Sequence, residues 1–158
     1  MSRAGTALAA SGGIRTLGAM FRLLLLVAML AGCAPLPPSP ADIEAKRFEP
    51  VAGKAVIYVF RHYPDLSREV ATLMLDDQMM GSTHPGTYFR WIVEPGRHQI
   101  RGYAGDNGSI TLDVQPNGMY FIQQSVSLFF HGFAQSFFQP VPEAYGREAV
   151  LRSELIGG

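Results

Sequence analysis

The chain has one cysteine, Cys33, in 158 residues. An internal disulfide is therefore excluded, and any folded domain must be held by its apolar core. Charge is also scarce, at 16% of residues, with equal numbers of each sign. No basic stripe or charge run is present, which argues against a nucleic-acid surface. The longest apolar run, Leu23 to Leu30 (LLLLVAML), is too short for a membrane span, which needs about 20 residues. Helix-length periodic segments do not alternate with strand-like ones, which argues against a parallel α/β sheet. Catalytic signatures are missing too: there is no Gly-x-Ser-x-Gly elbow and no phosphate loop. His62, His84, His98 and His131 are scattered, without His-x-x-x-His or His-Glu-x-x-His spacing. The adjacent Asp76 and Asp77 suit a turn better than an acid/base pair.

What is present begins with an address. Arg15 and Arg22 give a positive flank to the apolar run, and Leu30-Ala31-Gly32-Cys33 follows it. The two residues before the cysteine, Ala31 and Gly32, are small. This stretch resembles the lipobox of bacterial lipoproteins. The resemblance implies a diacylglyceryl group on the Cys33 sulfur, cleavage before Cys33 and acylation of the new amino group. The expected organisation is a signal peptide at 1–32, a lipidated cysteine and Pro-rich tether at 33–50, and a domain at 51–158. Met20-Phe21-Arg22 offers an alternative start to Met1. Cleavage would remove Arg3, Arg15 and Arg22, taking 13 basic against 13 acidic residues to 10 against 13, a formal −3. Lipidation would also consume the only thiol, leaving none for catalysis or metal binding.

The tether, Ala34 to Pro50, opens on Ala-Pro-Leu-Pro-Pro-Ser-Pro, which favours extended polyproline geometry. A helical turn is expected only at Asp42 to Phe48. Strands follow at Lys54–His62, Val70–Asp76, Met79–Thr83, Thr87–Glu94 and Arg97–Tyr103, then around Ile110 to Val114, at Met119–Leu128 and at Phe133–Val141. Turns at Asp76-Asp77, Pro85-Gly86, Pro95-Gly96 and Pro116-Asn117-Gly118 separate them. Val56, Tyr58 and Phe60 share one face of the first strand and Ile57 and Val59 the other, so that strand is expected to be central. Pro142-Glu143 suits a helix start, and one helix is expected over Glu143–Leu155. The expected fold is all-β: a small antiparallel β-sandwich, or a partly open barrel, with that short C-terminal helix.

The strand Ala55 to Arg61, the Thr87-Tyr88 pair and the turn Val93 to His98, followed by Gly118-Met119-Tyr120-Phe121 and Val141 to Arg147, together resemble bacterial lipoproteins that carry a DUF2846-type domain of unknown function. The resemblance implies a β-rich exported module anchored to a membrane, and it brings no catalytic residues. The function expected is a non-catalytic binding or cell-envelope structural module. Its partners would be membrane lipid through Cys33 and an envelope protein or ligand, with no nucleic acid. No cofactor is expected beyond the covalent lipid. Ala34 after the cysteine, in place of Asp, resembles the outer-membrane default of Gram-negative lipoproteins, facing the periplasm. The alternative is a small periplasmic hydrolase or metal-dependent enzyme using histidines gathered by the fold. A further candidate is an interaction patch at Phe129, Phe130 and Phe133, in an aromatic run that continues to Phe137 and Phe138.

Overall fold

Apolar side chains on both faces of the first strand require cover on both sides, and this strand, β1 (Ala55–Arg61), is buried at every position. The computed structural model describes residues 37–128 and 134–157. A helix, α1 (Pro40–Ala45), precedes β1. Then come β2 (Ala71–Leu75), β3 (Gln78–Thr83), β4 (Thr87–Val93), β5 (Gly96–Gly102), β6 (Ser109–Val114), β7 (Met119–Leu128) and β8 (Ala134–Val141). The helix α2 (Glu143–Leu151) and the two-residue strand β9 (Glu154–Leu155) follow. One sheet has the order β8-β7-β1-β4-β9 and the other β3-β2-β5-β6. Among the described residues the fold is mostly β, with two open sheets and no closed barrel.

The expected all-β fold of two sheets with a short C-terminal helix is the one observed, and within it two strand pairs are parallel rather than antiparallel. β1 pairs with β7 in parallel, and β4 with β9 in parallel. The chain leaves β4 to build β5 and β6 in the second sheet, then re-enters beside β1 running in the same direction. Parallel neighbours need such long crossovers, which strand-by-strand reading does not reveal.

Alternation along β1 divides the core in two. Ile57 and Val59 face the second sheet and pack with Leu73, Phe89, Trp91, Ile100 and Ile122. Val56, Tyr58 and Phe60 face the other way and pack with Tyr88, Phe121, Phe48, Ala149 and Val150, so the helices form a third layer. The rings of Tyr58 and Phe121 stack at 5.0 Å. Burial of each such side chain contributes about 1.5–3 kcal/mol before entropy is counted.

The third layer explains why the stretch expected to be tether is partly folded. From Pro38 onward the chain belongs to the compact unit. The Ser39 hydroxyl caps α1 by accepting the Asp42 N–H at 3.1 Å, with Pro40 in the first turn. Asp42 then accepts from the Tyr88 hydroxyl at 2.8 Å, the Leu155 N–H at 3.1 Å and the Lys46 ammonium at 2.8 Å. The Tyr58 hydroxyl donates to the Ala45 carbonyl at 2.7 Å. Ala45 and Phe48 thereby cover part of the aromatic outer face of β1.

The C-terminal helix begins where Pro142 predicts and ends at Leu151, short of Leu155, because Glu154 and Leu155 pair with Thr87 and Tyr88 instead. Gly146 lies within it for a packing reason. A Cβ there would fall 2.3 Å from the Phe121 side chain, so glycine lets α2 approach the sheet. Asp76 and Asp77 form the two-residue β2–β3 loop with φ of 48° and 68°, as a type I′ hairpin turn requires.

Candidate binding surface at one end of the sandwich

The inner row of β1 runs Ala55, Ile57, Val59 and then Arg61, so strict alternation carries a guanidinium into the core. Arg61 has no exposed surface. Its Nε donates to Asp65 Oδ2 at 2.5 Å, its Nη2 to the Ser67 carbonyl at 2.5 Å and its Nη1 to the Glu69 carbonyl at 2.6 Å. Asp65 also accepts the Val126 N–H at 3.0 Å, tying the 65–69 segment to β7. A buried charge is tolerated only when paired and hydrogen-bonded in this way.

A chain of neutral polar groups extends from that centre. The Thr83 hydroxyl lies 2.8 Å from Gln124 Oε1, and Gln124 Nε2 donates to Ser136 Oγ at 2.8 Å. The Ser136 and Gly108 N–H groups both donate to Asp106 Oδ1, at 2.7 and 3.0 Å. Ser136 and Gly108 approach so closely that a Cβ on Gly108 would lie 1.7 Å from the Ser136 carbonyl oxygen. Asp106 Oδ2 is buried and has no partner among the described residues. Asp106 borders a cavity of about 210 Å³ with Val70, Thr72, Tyr103 and Ala134. Among the described residues, Asp106 Oδ2 offers this small cavity a polar anchor.

Exposed apolar side chains surround this polar end. Leu66 is 78% exposed, and Val70, Tyr103 and Leu128 are each about half exposed. Val70 and Tyr103 line the cavity beside Ala134, which pairs with Leu128 across β7 and β8. Leu66 follows the Asp65 carboxylate that holds β7. Phe129, Phe130 and Phe133, the candidate patch, lie outside the described residues, as do His131 and Cys33. Of the same aromatic run, Phe138 packs against the core between the sheets, and Phe137, on the opposite face of β8, is half exposed.

The histidines that are described serve separate local structures. His62 Nε2 lies 2.8 Å from the Tyr145 hydroxyl. The His84 backbone closes a turn with the Thr87 side chain. His98 Nδ1 lies 2.5 Å from Asp76 Oδ2, and its Nε2 lies 2.7 Å from the Glu94 carbonyl. Two acceptors flank that ring, so the doubly protonated imidazolium suits it best. Burial alone would lower the His98 pKa, but the Asp76 hydrogen bond, the Glu94 carbonyl and the Asp76 charge together hold it above the usual value. With Nε2 held by Glu94, the Asp76–His98 pair has no free nitrogen for a substrate. Among the described residues, no three His, Cys, Asp or Glu side chains are grouped to hold a metal ion. No helix among them is long and apolar enough to cross a membrane.

Comparison of the chain with protein-family models, with curated proteins and with solved structures found no match. The reading of its function therefore rests on its own residues. Arg61, Gln124 and Asp106 were not singled out by sequence. Arg61 and Gln124 carried a signal nonetheless: each falls in step with buried neighbours, Ile57 and Val59 for one, Ile122 and Val126 for the other.

Proposed function

We propose that the protein is an exported lipoprotein, acylated at Cys33, that holds a non-catalytic binding or envelope-structural module at a membrane surface. The observation that carries this reading is the order of its parts: a basic flank, an apolar run, Leu-Ala-Gly-Cys, and a folded unit that begins at Pro38. Only residues 34–37 separate that unit from the cysteine. At about 3.5 Å per residue, the first folded residue lies within roughly 20 Å of the lipidated sulfur. The domain then works against the bilayer, not at the end of a long stalk. Two or three acyl chains would hold it stably, whereas one alone binds marginally, at about 0.8 kcal/mol per buried CH₂. Ala34 favours the outer membrane of a Gram-negative cell.

Binding is favoured over chemistry by the polar end of the sandwich. The donors of Arg61 and Gln124 are taken up by partners inside the chain, and the exposed groups around them are apolar, as at interaction surfaces. The reading is tested by detergent phase partitioning of cell extracts. The native chain is expected in the detergent phase and the Cys33→Ser variant in the aqueous phase. Equal partitioning of the two would refute it.

A further inference from the structure

The strand β4 has an edge that its neighbour covers only in part. β9 pairs with Thr87 and Tyr88 and ends there. The Glu154 and Ile156 N–H groups donate to the Gly86 and Tyr88 carbonyls, so the even-numbered residues of β4 turn their main chain toward this edge. The two-residue period places the main-chain groups of Arg90 and Ile92 on the same edge, beyond the reach of β9. The other edges carry protection: Pro140 lies in β8, Asp113 in β6, and a register shift distorts β2 against β3. β4 carries none of these between Phe89 and Val93.

Its side chains are self-complementary. Ile92 is half exposed on the face shared with Arg90 and Glu94. The Arg90 Nε donates to the Tyr58 hydroxyl at 3.2 Å, and no carboxylate among the described residues pairs with its guanidinium. The Glu94 carboxylate is exposed and, among the described residues, is paired with Lys54 alone. A groove of about 330 Å³ runs beside the edge, lined by Met80, Phe89, Trp91 and Gly157.

We propose that β4 pairs antiparallel with β4 of a second copy of this chain, about a two-fold axis at Ile92. The two Ile92 residues then exchange both main-chain hydrogen bonds and cover each other's side chains. Arg90 of each copy stands opposite Glu94 of the other, an attractive cross-strand pair. The inner face presents Val93 of one copy to Trp91 of the other, at the groove. Two five-stranded sheets become one continuous sheet with an isologous interface. The register follows from charge: a slip of two residues sets Arg90 opposite Ile92 and leaves the guanidinium unpaired. This inference does not depend on the lipid anchor.

The test uses the full chain carrying Cys33→Ser, which removes the only native thiol. Paired residues at the axis have Cα atoms about 5.5 Å apart, within disulfide reach. Under mild oxidation Ile92→Cys is therefore expected to form a covalent dimer, and Thr111→Cys, on the far edge of the other sheet, to stay monomeric. By sedimentation the Cys33→Ser chain is expected at twice the chain mass, Ile92→Lys or Arg90→Glu at one chain mass, and Arg90→Glu with Glu94→Arg at twice again. Where Arg90→Glu fails to fold, Ile92→Lys, at an exposed position, carries the test. A monomer at every concentration, or a dimer that Ile92→Lys leaves intact, overturns the proposal.

Discussion

The Nε of Arg61 lies 2.5 Å from Oδ2 of Asp65, and neither side chain has more than 3% of its surface open to water. Removing one partner of such a pair leaves a buried charge alone, at a cost of about 3–5 kcal/mol. Asp65→Ala is therefore expected to lower stability to urea by about that amount. Arg61→Met with Asp65→Leu is expected to recover much of it, because two apolar side chains bury no charge. Native-state hydrogen exchange should then show faster opening of residues 65–69, since the Ser67 and Glu69 carbonyls lose their donor. Unchanged exchange there would mean that the guanidinium does not organise the loop.

The contact of Tyr88 with Asp42 gives a second prediction. Tyr88→Phe removes one of three hydrogen bonds to a buried carboxylate and is expected to cost about 1–3 kcal/mol. Burial alone would raise the Asp42 pKa, but Lys46, Tyr88 and the Leu155 N–H outweigh it and hold it below the usual value. A depressed pKa contributes stability above the unfolded value, near 3.9, and that contribution is lost as pH falls through the folded value. Acid titration of unfolding free energy should show a shallower loss in Asp42→Asn than in the native chain.

The Asp76–His98 pair acts at the other end of the pH scale. The folded pKa of His98 is raised, so its contribution is complete below the unfolded value, near 6.5, and is lost as pH rises through the folded one. Stability is expected to decline on that alkaline side, and His98→Gln should flatten the decline. An NMR titration in which His98 loses its proton below 6.5 would contradict the raised pKa.

Gly146 tests the docking of α2. Helix propensity alone predicts that Gly146→Ala stabilises by about 1 kcal/mol. The 2.3 Å approach of the new Cβ to Phe121 predicts the opposite, because overpacking costs about 1–3 kcal/mol. A lower melting temperature for Gly146→Ala supports the docked helix, and a higher one argues against it.

Much of the fold was legible in the sequence because its turns are chemically explicit and its strands alternate cleanly. Ile57 and Val59 against Tyr58 and Phe60 marked β1 as central, and Pro142-Glu143 marked the start of α2. What could not be read was which strands become neighbours: the parallel β1–β7 pair joins residues more than fifty apart in the chain. α1 was legible only as a helical turn at Asp42 to Phe48, and its docking was not, since that rests on Asp42 meeting Tyr88 and Leu155, contacts distant in sequence. The polar centre was legible only as a period: Arg61 and Gln124 fall in step with buried neighbours, and nothing in that period names their partners. An arginine at a strand end reads as exposed until the chain folds Asp65, Ser67 and Glu69 around it. Asp106 gave no signal at all, because a loop aspartate beside glycine reads first as a turn residue.

The central claim is that Cys33 carries the lipid that sets where this domain works. Metabolic labelling of cells with an alkyne analogue of palmitate, followed by capture of the protein, tests it most directly. Label is expected on the native chain and absent from Cys33→Ser, with the labelled form beginning at Cys33 by mass spectrometry. A native chain without label, or one labelled equally after Cys33→Ser, would contradict the account.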